Sequence, residues 1–180
     1  MRSIIIAAAA LAALAATPAR AEVASSSAGA FLIETETQVA ATPAETWRAL
    51  GQLPRWWNEE HTYSGDARRL SLDLRAGGCW CERWGNGQSV EHGRVVLVME
   101  HEGVRTLRVV GGLGPLQELG ATGVLTFTVA PDPGGAKITM VYRVSGDPGL
   151  ELAALAPLVD AVLMEQFGRL ARFSASGSPD

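Results

Sequence analysis

LRAGGCWCERWGNGQSVEHGRVVLV, residues 74–98, predicts a β-hairpin that carries most of the chemically able side chains of this chain. Asn86-Gly87 marks the turn, because a two-residue hairpin loop needs positive φ at both positions and this dipeptide tolerates it best. A two-residue loop pairs Cys81 with His92. The hairpin is therefore the candidate site, and its register determines which side chains share it.

Side chains alternate between the two faces of a strand, so the register also assigns them to faces. With the two-residue loop, one face holds Cys79, Cys81, His92 and Arg94. The other face holds Trp80, Glu82, Trp84, Val95, Leu97 and Met99. A one-residue slip, to a three-residue loop, pairs His92 with Glu82 instead.

The first 21 residues have the pattern of a secretory signal peptide. Arg2 precedes an apolar run over residues 4–16, and Ala19-Arg20-Ala21 matches a small-residue cleavage site. The apolar run is shorter than the ~20 residues that span a bilayer. We therefore expect cleavage near Ala21, a periplasmic or secreted mature protein, and no stable insertion in a membrane.

The remaining chain predicts one domain. Residues 22–30, which include three consecutive serines, are expected to be a flexible segment, residues 31–173 the folded domain and residues 174–180 a C-terminal tail. The chain is acidic, with 19 Asp and Glu against 15 Lys and Arg, which argues against nucleic acid and anionic membranes as partners. Its two cysteines are too few for a disulfide framework, so they need a local explanation.

Helix signals lie near both ends of the domain. Residues 42–45, TPAE, form a capping box with proline at the first helical position, so a helix starts there and ends at Gly51. A second short helix or turn follows over residues 53–57. Residues 150–173 carry apolar side chains at helical spacing and predict a long C-terminal helix.

The region between these helices predicts strands separated by Gly and Pro. After a first strand over residues 31–40, strands are expected near residues 70–74, 79–84, 90–99, 105–110, 124–130 and 137–144. The expected class is α+β, with a curved antiparallel sheet of about seven strands wrapped around the long C-terminal helix. A helix cannot fill a strongly bent sheet, so an apolar space should remain between them.

Short motifs stand at intervals along this domain: Thr42-Pro43, Trp47, Leu50, Trp56-Trp57, Ala76-Gly77-Gly78, Glu91-His92, Arg94-Val95, Gly112-Leu113-Gly114-Pro115-Leu116 and Tyr142-Arg143-Val144. In these motifs and in its element order, the chain resembles the polyketide cyclase/START-like (SRPBCC) superfamily, whose fold is called helix-grip. The resemblance covers residues 31–173 and looks strongest to the exported bacterial branch.

The resemblance implies a fold more strongly than an activity. The superfamily includes lipid and hormone carriers, aromatase/cyclases and activators of a cytosolic chaperone ATPase, with no shared catalytic signature. This chain departs from the activator branch, because Cys79-x-Cys81 replaces its arginine-rich strand start and export would separate the protein from ATP. That role therefore drops out.

The leading hypothesis is a non-enzymatic protein that binds a small hydrophobic or amphipathic molecule between the sheet and the C-terminal helix, without a cofactor. The candidate ligand-binding residues are Trp56, Trp57, Cys79, Cys81, His92, Arg94, Leu113 and Leu116. The two adjacent indoles cannot share a helix face, so at least one should face a groove or solvent. The apolar, glycine-rich segment 111–117 is expected to close over the ligand. We expect His61 and His101 on the surface.

Two alternatives use the same hairpin. A cyclase- or dehydratase-like enzyme would use Glu82 and His92 as general acid and base. A thiol or metal-binding module would use Cys79, Cys81 and His92, because two thiolates and an imidazole suit zinc or cuprous ion. The cysteines could also form a disulfide, although a flat strand holds them about 6.6 to 7 Å apart, at the upper limit for that bond.

Overall fold

A computed structural model describes residues 22–180, and the predicted signal peptide lies outside this range. Within it, eight antiparallel strands form one sheet in the order β1-β2-β8-β7-β6-β5-β4-β3. The strands are β1 (Glu22–Ser27), β2 (Ala30–Val39), β3 (Leu70–Leu72), β4 (Cys79–Trp84), β5 (Gln88–His101), β6 (Val104–Val110), β7 (Thr122–Asp132) and β8 (Gly135–Ser145). The α-helices are α1 (Pro43–Gly51) and α2 (Leu152–Ser176).

Helix α2 packs over one half of the sheet. Its main sheet contacts are with β1, β2 and β8, and it also contacts α1. The sheet order places β3, β4 and β5 at the opposite edge, away from that contact. This arrangement confirms the predicted α+β helix-grip fold, with a long helix against an open antiparallel sheet.

The structure has one strand more than expected. Strand β1 pairs with β2 along the sheet edge, in the segment that was expected to be flexible. Its serines, residues 25–27, stay exposed, so the pairing depends on backbone groups that serine-rich composition does not disclose. The C-terminal helix likewise continues to Ser176, into the expected tail.

Helix α1 begins as its capping box predicts. The Thr42 hydroxyl accepts a hydrogen bond from the Glu45 backbone N–H at 3.3 Å, and the Glu45 carboxylate accepts one from the Thr42 backbone N–H at 2.9 Å. After α1, the expected second helix is a single 3-10 turn over Leu53–Arg55. These short elements lead the chain from β2 to the far edge of the sheet.

The core lies between the sheet and α2. The strands contribute alternate residues, as period-two patterning requires: Phe31, Ile33, Leu125, Phe127, Val129, Ile138, Met140, Tyr142 and Val144. Helix α2 contributes an apolar stripe: Leu152, Ala156, Leu163, Phe167, Leu170 and Phe173. Pro157 lies inside α2.

Candidate functional site

The hairpin of β4 and β5 closes with the three-residue loop Gly85-Asn86-Gly87, since Trp84 pairs with Gln88. The two-residue loop was therefore wrong and the alternative three-residue loop is the one formed, although it pairs Glu82 with Val90 and not with His92. The positive φ values fall on Gly85 (53°) and Gly87 (84°) instead of on the Asn-Gly pair. Glycine tolerates this conformation best, so a loop with glycine at each end accommodates the turn.

A β-bulge in β5 then changes the register partway along the hairpin. Cys81 pairs with Glu91, whereas Trp80 pairs with Gly93. His92 is thus the extra residue of the bulge, and neither of the two predicted pairings of His92 is formed.

The three-residue loop places His92 on the face of the side chains that the two-residue register had assigned to the opposite side, because Glu82 pairs with Val90, two residues before His92. The His92 imidazole contacts Glu82 and lies 6.3 Å from the Trp80 ring, centroid to centroid. Beyond the bulge Cys79 pairs with Arg94, as predicted. The hairpin therefore joins Glu82 to His92 on one face and separates His92 from the cysteines.

A cavity of about 500 Å³ lies between this face, α2 and the loop that follows β6. Its walls come from four parts of the chain: Trp57, His61, Thr62, Tyr63, Leu70, Trp80, His92, Leu113, Gly114, Pro115, Glu118, Leu158, Val159, Val162 and Leu163. Most of these side chains are apolar, and the polar ones are few. Pockets of this size and lining are typical of sites for small organic molecules.

Glu82 is the best-connected polar group beside the cavity. Its side chain is 0% exposed, and its carboxylate accepts backbone N–H bonds from Ser64 at 2.5 Å and Tyr63 at 3.1 Å. Nε2 of His92 lies 3.0 Å from the same carboxylate. A buried carboxylate needs such donors, because an unpaired charge in this position would be costly.

The pKa directions agree with an ionised Glu82 beside a neutral His92. Burial opposes ionisation of Glu82, but the hydrogen bonds from Ser64, Tyr63 and His92 together lower its pKa. Burial lowers the pKa of His92, and the nearby Glu82 carboxylate opposes this only in part. The neutral imidazole therefore donates from Nε2 to the Glu82 carboxylate.

Aromatic rings form one wall of the cavity. Trp57 meets Trp80 edge to face, with 5.0 Å between ring centroids, and Tyr63 lies 5.8 Å from the His92 ring. The Trp57 indole N–H donates to the backbone oxygen of His61 at 2.9 Å, which fixes the ring orientation. Such a wall offers a flat apolar surface to a ring-shaped ligand.

The loop between β6 and β7 is held at its base by Tyr142. The buried Tyr142 hydroxyl donates to the Gly111 carbonyl and accepts from the Leu113 backbone N–H, both at 3.0 Å. Burial raises the pKa of Tyr142 to about 12, so this hydroxyl stays protonated and keeps both bonds. Leu113 is thereby placed at the cavity.

The predicted ligand-binding residues separate into three groups. Trp57, His92 and Leu113 line the cavity. Trp56 and Leu116 are buried in the core, with 1% and 0% exposed, and are not among its lining residues. The prediction that one of the adjacent indoles faces a groove is confirmed, since Trp57 does so while Trp56 donates to the Ala49 carbonyl.

The third group, Cys79, Cys81 and Arg94, does not line the cavity. The Arg94 guanidinium pairs with the carboxylate of Glu91, its neighbour across the bulge, and donates to the Gly77 carbonyl at 3.0 Å. The Arg94 guanidinium is therefore hydrogen-bonded to other groups at the protein surface.

Cys79 and Cys81 are joined in a disulfide, with 5.3 Å between their Cα atoms. The distance is shorter than a flat strand gives and lies within the usual range for a disulfide. The proposed metal triplet with His92 is not assembled. Glu91 is the residue whose ligand atom lies near the two sulfur atoms, all within 4.8 Å of one another.

Several cavity residues were missed from sequence. His61 was expected on the surface, yet it lines the cavity and its Nε2 lies 3.0 Å from the Glu165 carboxylate of α2. His101 is exposed, as expected. The α2 residues Val159 and Val162 belong to the apolar side chains at helical spacing that were predicted over residues 150–173, and this spacing was the available signal that they share a face.

No known family model matches this chain, and no curated protein sequence matches it. Solved structures do match. Norcoclaurine synthase from Thalictrum flavum has a TM-score of 0.51 and 15% identity over 81% of this chain and 94% of its own. CalU16 from Micromonospora echinospora has a TM-score of 0.51 and 15% identity over 84% of this chain and 78% of its own.

DynU16, a protein of the dynemicin biosynthetic locus, has a TM-score of 0.54 and 19% identity. The match covers 82% of this chain but 48% of DynU16. At such identities these structures show the shared fold, which is the one predicted. No helix within residues 22–180 has the length and apolar character needed to cross a membrane.

Proposed function

We propose that this protein binds a small hydrophobic or amphipathic molecule in the cavity between the sheet and α2, and that it does so without catalysis. The observation that carries the proposal is the cavity itself, with about 500 Å³ of space lined by side chains of α2 within residues 158–163, by Trp80 of β4 and by His92 of β5. We also propose that the protein acts in the periplasm or outside the cell. A mature N-terminus near Glu22, found by mass spectrometry of protein from the native host, would support export, and retention of residues 1–21 would contradict it.

Burial of apolar surface supplies most of the affinity in this proposal. A ligand that buries roughly 300 Å² of apolar surface gains about 7 kcal/mol at 25 cal/mol per Å², before the costs of ordering. The aliphatic residues of α2 and the aromatic wall around Trp57 provide that surface. Leu113 and Pro115 cover it from the loop side, so this loop is the proposed lid.

The binding test uses N-phenyl-1-naphthylamine, an uncharged probe whose emission rises in apolar surroundings. Val162 lines the cavity, so Val162→Trp should fill it and weaken probe binding at least tenfold. Ala161→Trp is the matched control, because the neighbouring position on α2 is exposed. Equal probe binding by the two variants and the wild type would contradict a ligand site in this cavity.

A proton-transfer enzyme of the cyclase or dehydratase kind is the second candidate. The buried Glu82–His92 pair favours it, because a carboxylate that orients an imidazole is a common acid–base arrangement. Norcoclaurine synthase, which shares the fold, has been solved with a transition-state analogue, so a related cavity can hold a reacting molecule. Turnover that is lost in His92→Phe while ligand binding persists would favour this candidate over a carrier.

A further inference from the structure

Several hydrogen-bond donors in the cavity wall are already used within the protein. The Trp57 indole N–H donates to the His61 carbonyl at 2.9 Å, and the Thr62 hydroxyl donates to the Glu59 carbonyl at 2.7 Å. A ligand therefore meets few free donors at this end of the cavity. The polar group that matters is the imidazole of His92.

The hydrogen bonds of Glu82 fix the tautomer of His92. Since the Glu82 carboxylate accepts two backbone N–H groups and is ionised, Nε2 of His92 must carry the hydrogen between them. The lone pair of the imidazole is then on Nδ1. Nδ1 has no hydrogen-bond partner within residues 22–180 and is not among their fully buried polar atoms without a partner. Because the His92 side chain lines the cavity, a molecule in the cavity can reach Nδ1.

Carboxylates predominate among the charged groups around the cavity, and the lining His61 is itself paired with the Glu165 carboxylate at 3.0 Å. No lining residue in the described range is Lys or Arg, whereas Glu118 lies at the exposed rim and the Glu82 carboxylate lies behind His92. A ligand carboxylate would face two negative groups and the Nδ1 lone pair, with no lysine or arginine among the described lining residues to compensate it. An uncharged hydroxyl avoids that repulsion and can donate to Nδ1.

We propose that the cavity selects an uncharged, hydroxylated hydrophobic molecule, such as a phenol or alcohol, whose hydroxyl donates to Nδ1 of His92, and that it rejects carboxylates. This inference rests on the proposed binding function and adds the chemical class of the ligand. The aromatic rings beside His92 favour a planar body next to the hydroxyl.

Three probes with one ring system test this selectivity at pH 7: 2-naphthol, 2-methoxynaphthalene and 2-naphthoate. We expect 2-naphthol to bind about tenfold more tightly than 2-methoxynaphthalene, which keeps the oxygen but cannot donate. We expect the 2-naphthoate anion to bind more weakly than both. Isothermal titration calorimetry gives the three affinities.

Two histidine variants separate the role of Nδ1 from general packing. His92→Phe should bring 2-naphthol and 2-methoxynaphthalene to within twofold of each other. His101→Phe is the matched control, because this histidine is 75% exposed and is not among the residues that line the cavity. It should keep the tenfold preference. The wild-type ranking of the probes tests the inference even if His92→Phe does not fold.

The outcomes distinguish this inference from the function beneath it. Equal wild-type affinities for 2-naphthol and 2-methoxynaphthalene, or tightest binding of 2-naphthoate, would overturn the hydroxyl selectivity and leave the ligand cavity standing. Failure of all three probes and of N-phenyl-1-naphthylamine to bind would overturn both.

Discussion

Replacing Glu82 by Gln tests whether the buried carboxylate holds the site together. The carboxylate accepts from Ser64 N, Tyr63 N and His92 Nε2, at 2.5, 3.1 and 3.0 Å. A Gln amide has one oxygen and one NH₂ group, so in either orientation the NH₂ group faces at least one backbone N–H. A buried N–H group left without an acceptor costs about 1–3 kcal/mol. The remaining donors also lose the stronger hydrogen bonds that they make to a charged carboxylate. We expect Glu82→Gln to lower the free energy of unfolding by about 2–4 kcal/mol at pH 7.

The assay is guanidinium denaturation followed by circular dichroism, with a thermal melt beside it. For a domain of this size the loss corresponds to a Tm about 5–15 °C lower. Because the folded pKa of Glu82 is lowered from 4.5, its stabilisation is present above the unfolded value and is lost as the pH falls through the folded value. The difference between wild type and variant should therefore shrink in acid.

Glu100→Gln is the matched control for this substitution. Glu100 also lies in the hairpin region of the sheet and pairs with Arg105, but its side chain is 55% exposed. Exposed ion pairs contribute little, so this variant should remain within about 0.5 kcal/mol of wild type. A Glu82→Gln variant as stable as Glu100→Gln, or a difference that does not change with pH, would refute the reasoning.

Burial lowers the folded pKa of His92 from 6.5 despite the opposing Glu82 carboxylate, so the unfolded chain takes up this proton first as the pH falls. Stability should then decline below about pH 6.5, by at most ~1.4 kcal/mol per pH unit from this group, and denaturation of His92→Phe should lack that component. Asp160 has a buried carboxyl oxygen with no partner within residues 22–180, and burial raises its pKa. The protonated Asp160 carboxyl is tolerated in the folded protein at low pH, but stability is lost as the pH rises through its folded pKa because the buried carboxylate then ionises. Calorimetry should therefore show a higher Tm for Asp160→Asn than for wild type at pH 7 and no difference at pH 3. The Cys79–Cys81 disulfide closes a loop of only three residues. The loss of loop entropy in the unfolded chain therefore predicts that this bond stabilises the protein by less than about 2 kcal/mol. A Cys79→Ser/Cys81→Ser variant that loses more than 4 kcal/mol in denaturant titration would contradict this estimate, and an intact mass two hydrogens heavier than the disulfide form would contradict the bond.

Features that depend on neighbouring residues were predictable from the sequence. The TPAE capping box specifies where α1 begins, because all of its partners lie within four residues. The alternating strands and the apolar stripe of α2 likewise predict the sheet, the long helix and the space between them. The fold class could therefore be predicted before the structure was considered.

Features that depend on distant partners were not predictable in the same way. Strand β1 forms because β2 offers backbone groups to it, which its serines do not signal. His61 lines the cavity in part because Glu165 of α2, 104 positions along the chain, lies 3.0 Å from its Nε2. The polar residues next to His61 in the sequence indicated a surface position. A contact between residues so far apart in the chain leaves no local sequence pattern, so this one could not be predicted.

The three-residue loop and the bulge at His92 together show why the register of the hairpin was missed. An Asn-Gly dipeptide favours a two-residue turn locally, but a bulge must also fit the strand on its other side. A Cβ on Gly93 would lie 2.6 Å from a Val109 methyl group, and a Cβ on Gly111 would collide with the His92 carbonyl. These two glycines, one beside the bulge and one directly after β6, let the backbones of the two strands approach closely at the bulge. The bulge therefore depends on residues without side chains, whose role is visible only when β5 and β6 are seen side by side.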